Sequence, residues 1–88
     1  MSEVTAEPLR LLTRRGCHLC EIVRGPLAEG ARERGLTLIE YDVDEDPGLN
    51  HEYGQRVPVL LAGSRILAEG RFDPLGALPA ASTRLTDR

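Results

Sequence analysis

The 88-residue chain contains no lysine and no tryptophan, and Tyr41, Tyr53 and Phe72 are its only aromatic residues. Without lysine, Schiff-base chemistry and the phosphate-cradling G-x-x-x-x-G-K-[ST] loop are excluded. With so few aromatic side chains to stack bases and a formal net charge of -3, neither the platforms nor the charge footprint of a nucleic-acid binder is present. No stretch approaches the roughly 20 apolar residues needed to cross a bilayer. Met1 to Glu7 is polar and acidic rather than a basic start followed by an apolar run. The expectation is a soluble cytoplasmic protein with no nucleic-acid and no membrane partner. Cysteine is scarce as well, with two residues, and in a reducing compartment a lone pair points to catalysis or metal binding rather than to a structural staple.

Those two cysteines form Cys17-His18-Leu19-Cys20. At this length the chain is one domain, residues 1–88, with a core over about residues 8–78 and loose termini at 1–7 and 80–88. Leu9 to Thr13 reads as a short buried strand and Arg14-Arg15-Gly16 as the turn after it. From Cys17, the residues Leu19, Ile22, Val23, Pro26, Leu27, Gly30 and Ala31 make a helical stripe, with Gly35 as the stop signal. Pro26 predicts a kink or local break in that helix. Gly30 and Ala31 predict a close approach to a sheet, and Glu21 and Arg24 read as a surface pair.

Leu36 to Val43 reads as a second strand, parallel to the first because a helix intervenes. Asp46 as N-cap with Pro47 at the first helical position starts a second helix, carrying Leu49 and Tyr53 inward and ending at Gly54. Val57 to Ala62 and Arg65 to Ala68, joined by Gly63-Ser64, read as a hairpin with a type II′ turn. Asp73-Pro74 starts a last helix with Leu75 and Leu78, curtailed by Pro79. The predicted class is α/β, order β-α-β-α-β-β-α, with a four-stranded mixed sheet and helices on both faces.

A C-x-x-C at a helix start places two sulfurs one turn apart where backbone N–H groups and the macrodipole favour negative charge. Cys17, at the N-cap with Arg14 and Arg15 just upstream, is the candidate nucleophile. Cys20, further into the helix, is the candidate resolving thiol. His18 and Arg15 are candidate modulators of Cys17, His18 through a hydrogen bond or, when protonated, through charge. Pro58 sits where proline fits a strand start, and from the residues alone a trans bond is favoured, since few X-Pro bonds are cis; a cis bond there would leave the Val57 backbone free to pair with an extended substrate. A zinc site within one chain is disfavoured, because Cys17, Cys20, His18 and His51 are the available ligands and His18 is held between the cysteines. Two alternatives stay open: an iron-sulfur or zinc carrier bridging two chains through the same cysteines, and a binding module of this fold whose cysteines no longer turn over. Asp42, Asp44, Glu45 and Asp46 lack the glycine-centred spacing of a calcium loop and read as a solvated helix start.

With Thr13 to Cys20, Arg56-Val57-Pro58-Val59 and Glu69 to Asp73 in this order, the chain resembles the glutaredoxin-like branch of the thioredoxin-fold superfamily over about residues 8–78. The resemblance implies a thioredoxin-like fold, a cis Val57-Pro58 bond against the thiols, and a dithiol-disulfide oxidoreductase with a redox-active Cys17-Cys20 centre. Its substrates would be disulfide-bearing proteins or low-molecular-weight mixed disulfides, and no cofactor would be tightly bound. The reductant would be glutathione or a thioredoxin-type system. Glutathione-using members carry a basic residue three positions before the first cysteine, a polar residue and valine before the proline, and Gly-Gly followed by Asp at the last helix. Arg14, Arg56 with Val57, and Gly70 with Asp73 match these positions, so Arg14, Val57, Pro58, Gly70 and Asp73 are the implied substrate-binding residues. The second glycine of the pattern is Arg71 here, which adds bulk where the γ-glutamyl group would approach, and His18-Leu19 stands in place of proline and tyrosine.

Overall fold

The computed structural model describes residues 8–79, so the expectation of loose ends at 1–7 and 80–88 lies outside the described residues. Along them run β1 (Leu9–Thr13), α1 (His18–Glu33), β2 (Leu38–Asp42), α2 (Pro47–Tyr53), β3 (Val59–Ala62), β4 (Arg65–Glu69) and α3 (Pro74–Ala77). The strands form one sheet in the order β2-β1-β3-β4. β1 pairs parallel with β2, and β1/β3 and β3/β4 pair antiparallel. This is the mixed, thioredoxin-like arrangement predicted above.

Alternation along the strands divides the core between two faces. Leu9, Leu11 and Leu60 face Val23, Leu27 and Ala31 of α1 and Leu78 beyond α3. Leu12, Val59 and Leu61 face the other way, onto Val43 and the inward residues Leu49 and Tyr53 of α2. Because α2 has only seven residues, it leaves part of that face open, and Ile39, Tyr41 and Ile66 are each more than a third exposed. A shallow pocket of about 220 Å³ there is lined by Pro8, Arg10, Ile39, Tyr41 and Gly63. Gly63 lies beyond Ala62, the partner of Leu9, so the pocket is at the end of the sheet away from Cys17.

Several local expectations are revised. α1 runs unbroken through Pro26. A Cβ at Gly30 would lie 2.6 Å from Leu78 Cδ1 and 2.7 Å from Leu75 Cδ2, so this glycine admits α3 rather than the sheet. β2 begins at Leu38, not Leu36, because the end of α1 claims the residues before it. Leu36 N–H donates to Ala31 O (2.8 Å) and Gly35 N–H to Arg32 O (3.2 Å), with Gly35 at φ 71°. That is the paired bonding of a Schellman ending, with Gly35 in the left-handed position. Val43–Glu45 forms a 3₁₀ turn instead of extending β2, since Asp42 Oδ1 accepts from Asp44 N–H (2.9 Å). Arg24 pairs with Glu40 of β2 at 2.8 Å rather than with Glu21. In the hairpin, Gly63 has φ 63° and Ser64 does not share a positive φ, which is the type II′ pattern.

The helix starts follow their caps. Asp46 Oδ1 accepts from Gly48 N–H (2.9 Å) and Leu49 N–H (3.2 Å). Asp46→Ala is expected to lower the unfolding free energy by about 1 kcal/mol, read as a lower urea midpoint at unchanged slope. An unchanged midpoint would mean that Pro47 alone sets this start.

Candidate active site

The pairing register brings four chain segments to one end of the sheet. Thr13 at the end of β1 lies beside Asp42 at the end of β2, Leu12 beside Val59 at the start of β3, and Val59 beside Glu69 at the end of β4. The segments 14–17, 43–46, 56–58 and 70–73 therefore emerge together.

The first of them ends at Cys17, the first of the two cysteines. Arg14 to Cys17 is closed by Cys17 N–H donating to Arg14 O (3.3 Å), with Gly16 at φ 79°. A positive φ at the third residue is what a type II turn requires, and glycine takes it without strain. The turn delivers Cys17 to the N-cap of α1, where its Sγ accepts from Cys20 N–H at 3.1 Å. Cys17 and Cys20 are joined in a disulfide with their Cα atoms 5.2 Å apart. Cys20 has 0% relative exposure, while Cys17 is partly exposed. Only the first sulfur is open to a large partner. His18 is exposed and Leu19 partly buried.

Beside this turn the Val57-Pro58 bond is cis, and Pro58 is buried. Pro58 O accepts from Gly70 N–H at 2.8 Å, which ties the loop before β3 to the loop after β4. Val57 is partly buried, and neither of its backbone polar groups has a partner among the described residues. Gly70 has φ 73°, and a Cβ there would meet nothing within 4 Å.

The charged residues around this end are largely paired with each other. Arg14 Nη2 donates to Asp44 Oδ1 (2.8 Å) and Nη1 to Gly54 O (3.0 Å). Asp44 also accepts from Asn50 Nδ2 (2.7 Å). Arg56 Nε donates to Glu69 Oε1 (2.9 Å), and its guanidinium lies 5.1 Å from the Tyr53 ring centroid. Arg24 Nε donates to both Glu40 oxygens, and Thr13 Oγ1 donates to Glu40 Oε2 (2.9 Å). Glu40, by this hydrogen bond first and by its charge second, raises the Arg24 pKa above its ordinary value. Thr13 is the one buried polar side chain among the described residues, and this bond satisfies it. Asp73 Oδ2 accepts from Gly76 N–H (3.1 Å) as the cap of α3. Among the described residues, no three His, Cys, Asp or Glu side chains are grouped to hold a metal ion, and no helix is long and apolar enough to cross a membrane.

This arrangement can be set beside known proteins. Residues 8–74 match the family described as Glutaredoxin-like domain (DUF836). The chain belongs to this glutaredoxin-like family. It is 42% identical over 62 residues to the uncharacterized protein Rv0508 of Mycobacterium tuberculosis and, equally, to the uncharacterized protein Mb0520 of Mycobacterium bovis. The match covers 65% of this chain and 64% of each relative, so the chain spans about two thirds of the curated relatives it matches. Among solved structures, it is similar to protein Ne2328 from Nitrosomonas europaea, with TM-score 0.65 and 29% identity over 83% of this chain and 88% of that one. Protein XcR50 from X. campestris gives TM-score 0.59 and 32% identity over 81% of this chain and 99% of that one.

In this glutaredoxin-like domain, Arg14, Arg15, Cys17, His18, Cys20, Val57, Pro58, Gly70 and Asp73 all lie in or next to the segments that share one end of the sheet. The basic residue three positions before the first cysteine is not an open cation, because Asp44 and Gly54 O occupy its fork. Asp44 and Glu69 are the site-end residues that sequence reasoning missed. Asp44 belongs to an acidic stretch and Glu69 is a lone acid at the end of β4, but the arginine each one meets is fixed only by the strand register.

Proposed function

We propose that this glutaredoxin-like domain is a thiol-disulfide oxidoreductase whose reduced Cys17 attacks disulfides in protein segments. The observation that carries this reading is Cys17 at the N-cap of α1 with Cys20 N–H directed at its sulfur, 3.1 Å away. The same N–H and the helix N-terminus stabilise a thiolate more than a thiol. Cys17 thiolate forms a bond to one substrate sulfur and expels the other as a thiolate. Cys20 then gives up its proton, attacks the Cys17 sulfur and releases the second substrate thiol. Two electrons and two protons pass from the dithiol to the substrate, leaving the Cys17-Cys20 disulfide. A thiol reductant restores the dithiol, with glutathione and a thioredoxin-type protein as the two candidates, in a reducing compartment such as the cytoplasm.

The open backbone of Val57 supports an extended peptide as the substrate. Arg14 and Asp73, implied as ligands of glutathione, already serve Asp44 and the α3 cap, which favours a protein disulfide over glutathione in the substrate role.

The test is the alkylation rate of the reduced protein against pH. The expected midpoint for Cys17 is at least one unit below the free-cysteine value of about 8.5. A midpoint at or above that value would overturn the assignment of Cys17 as nucleophile.

A further inference from the structure

Two arginines at the thiol end carry no partner among the described residues. Arg14, Arg24 and Arg56 are each held by a carboxylate of the same chain at 2.8 Å. Arg15 and Arg71 are exposed and have no hydrogen-bond or ion-pair partner among the described residues. Arg15 is the second residue of the turn that delivers Cys17, and Arg71 follows Gly70, whose N–H is bonded to Pro58 O. The strand order β2-β1-β3-β4 puts both segments at the end of the sheet that carries Cys17, with the segment leading into β3 between them, so two open guanidinium groups stand at the thiol end. Of the acidic residues at this end, Asp44 pairs with Arg14 and Glu69 with Arg56, Asp46 and Asp73 cap α2 and α3, and Glu45 is exposed without a partner among the described residues. Glu21, one turn along α1 from Cys17, is the opposing charge on that helix.

On the reading of Cys17 as a disulfide-reducing thiol, we infer that Arg15 and Arg71 form a recognition surface for acidic protein segments, selecting disulfides that have Asp or Glu close on both sides. A guanidinium with no internal carboxylate is available to a partner's carboxylate at no cost in broken pairs, and charge at a rim acts chiefly on encounter and register.

Three disulfide-linked peptides of equal length test this, with flanks of glutamate, glutamine or lysine, offered to pre-reduced protein in single-turnover reduction. The same peptides with serine for cysteine are titrated into the Cys17→Ser/Cys20→Ser protein as a binding assay that needs no turnover. At low ionic strength the glutamate peptide is expected to react and bind about tenfold better than the lysine peptide, a difference that shrinks as salt is added. Arg15→Gln and Arg71→Gln should each reduce the preference by about threefold. Arg65→Gln, at the far hairpin and likewise without a partner among the described residues, should leave it unchanged. Equal binding and reaction of all three peptides, or a preference equally lost on Arg65→Gln, would overturn the inference. Charge-selective binding without reduction of any peptide would uphold the surface and overturn the redox reading on which it rests. Oxidised glutathione in a parallel arm separates a carboxylate-bearing small disulfide from a protein segment: the expected result is slower reduction than of the glutamate peptide, and faster reduction overturns the choice of a protein partner.

Discussion

Cys17→Ser is expected to reduce disulfide turnover to background, a loss on the order of 10³-fold or more. A serine hydroxyl at the same N-cap still accepts the Cys20 N–H, so the helix start survives, but it does not ionise near neutral pH and cannot exchange with a disulfide. On the proposed function, first attack falls to Cys17, which is partly exposed while Cys20 is fully buried. Cys20→Ser therefore has a different signature. First attack proceeds, and the protein accumulates as a mixed disulfide with its substrate because no second sulfur is placed to resolve it. Trapping followed by mass spectrometry reads the two variants apart: Cys20→Ser gains the mass of one substrate arm, and Cys17→Ser does not. Equal trapping by both variants would sink the division of roles. Full turnover by Cys17→Ser would sink the site.

The element order was readable because each helix start has its own chemical signal. Asp46-Pro47 and Asp73-Pro74 place a capping carboxylate and a proline where a helix needs them, and both caps form. Cys17 as N-cap followed from the break between an apolar strand and a helical stripe. The ends of elements were harder to read, because they depend on bonds made across the fold. Leu36 has strand character but is taken by the closing bonds of α1, and Val43 is taken by the Asp42-capped turn. Arginine partners were harder still. Arg24 has Glu21 three residues away and pairs with Glu40 sixteen away, because parallel pairing of β2 with β1 puts Glu40 beneath α1. Arg14 lies three residues before Cys17 in sequence, yet its guanidinium serves the end of α2 and the 3₁₀ turn. Sequence proximity located the thiols, and only the register could say which charges around them were already spent.

Leu11→Ala should cost the most stability of any single truncation considered for this chain, about 2–5 kcal/mol. Leu11 lies on β1, an interior strand, between Glu40 of β2 and Leu60 of β3. It is fully buried in the cluster shared with Val23, Leu27 and Ala31 of α1 and with Leu78. A cavity there is bounded by hydrogen-bonded strands on both sides and by a sixteen-residue helix above, so little can move in to fill it. A domain of this size has a total stability of roughly 5–15 kcal/mol, and the loss takes a large share. Ile66→Ala, on edge strand β4 at 39% exposure, removes a similar number of atoms and should cost less than about 1 kcal/mol. Urea titrations of both variants at unchanged slope make the comparison. A small loss at Leu11 would mean that α1 settles onto the sheet, contrary to the packing described. The cluster also bears on the chemistry, since α1 carries Cys17 at its start and is anchored through Val23 and Leu27. Below its own unfolding midpoint, Leu11→Ala should keep the wild-type alkylation midpoint of Cys17. The N-cap geometry that sets that midpoint is made by the turn from Arg14 to Cys17 and the first turn of α1, both beyond the end of β1.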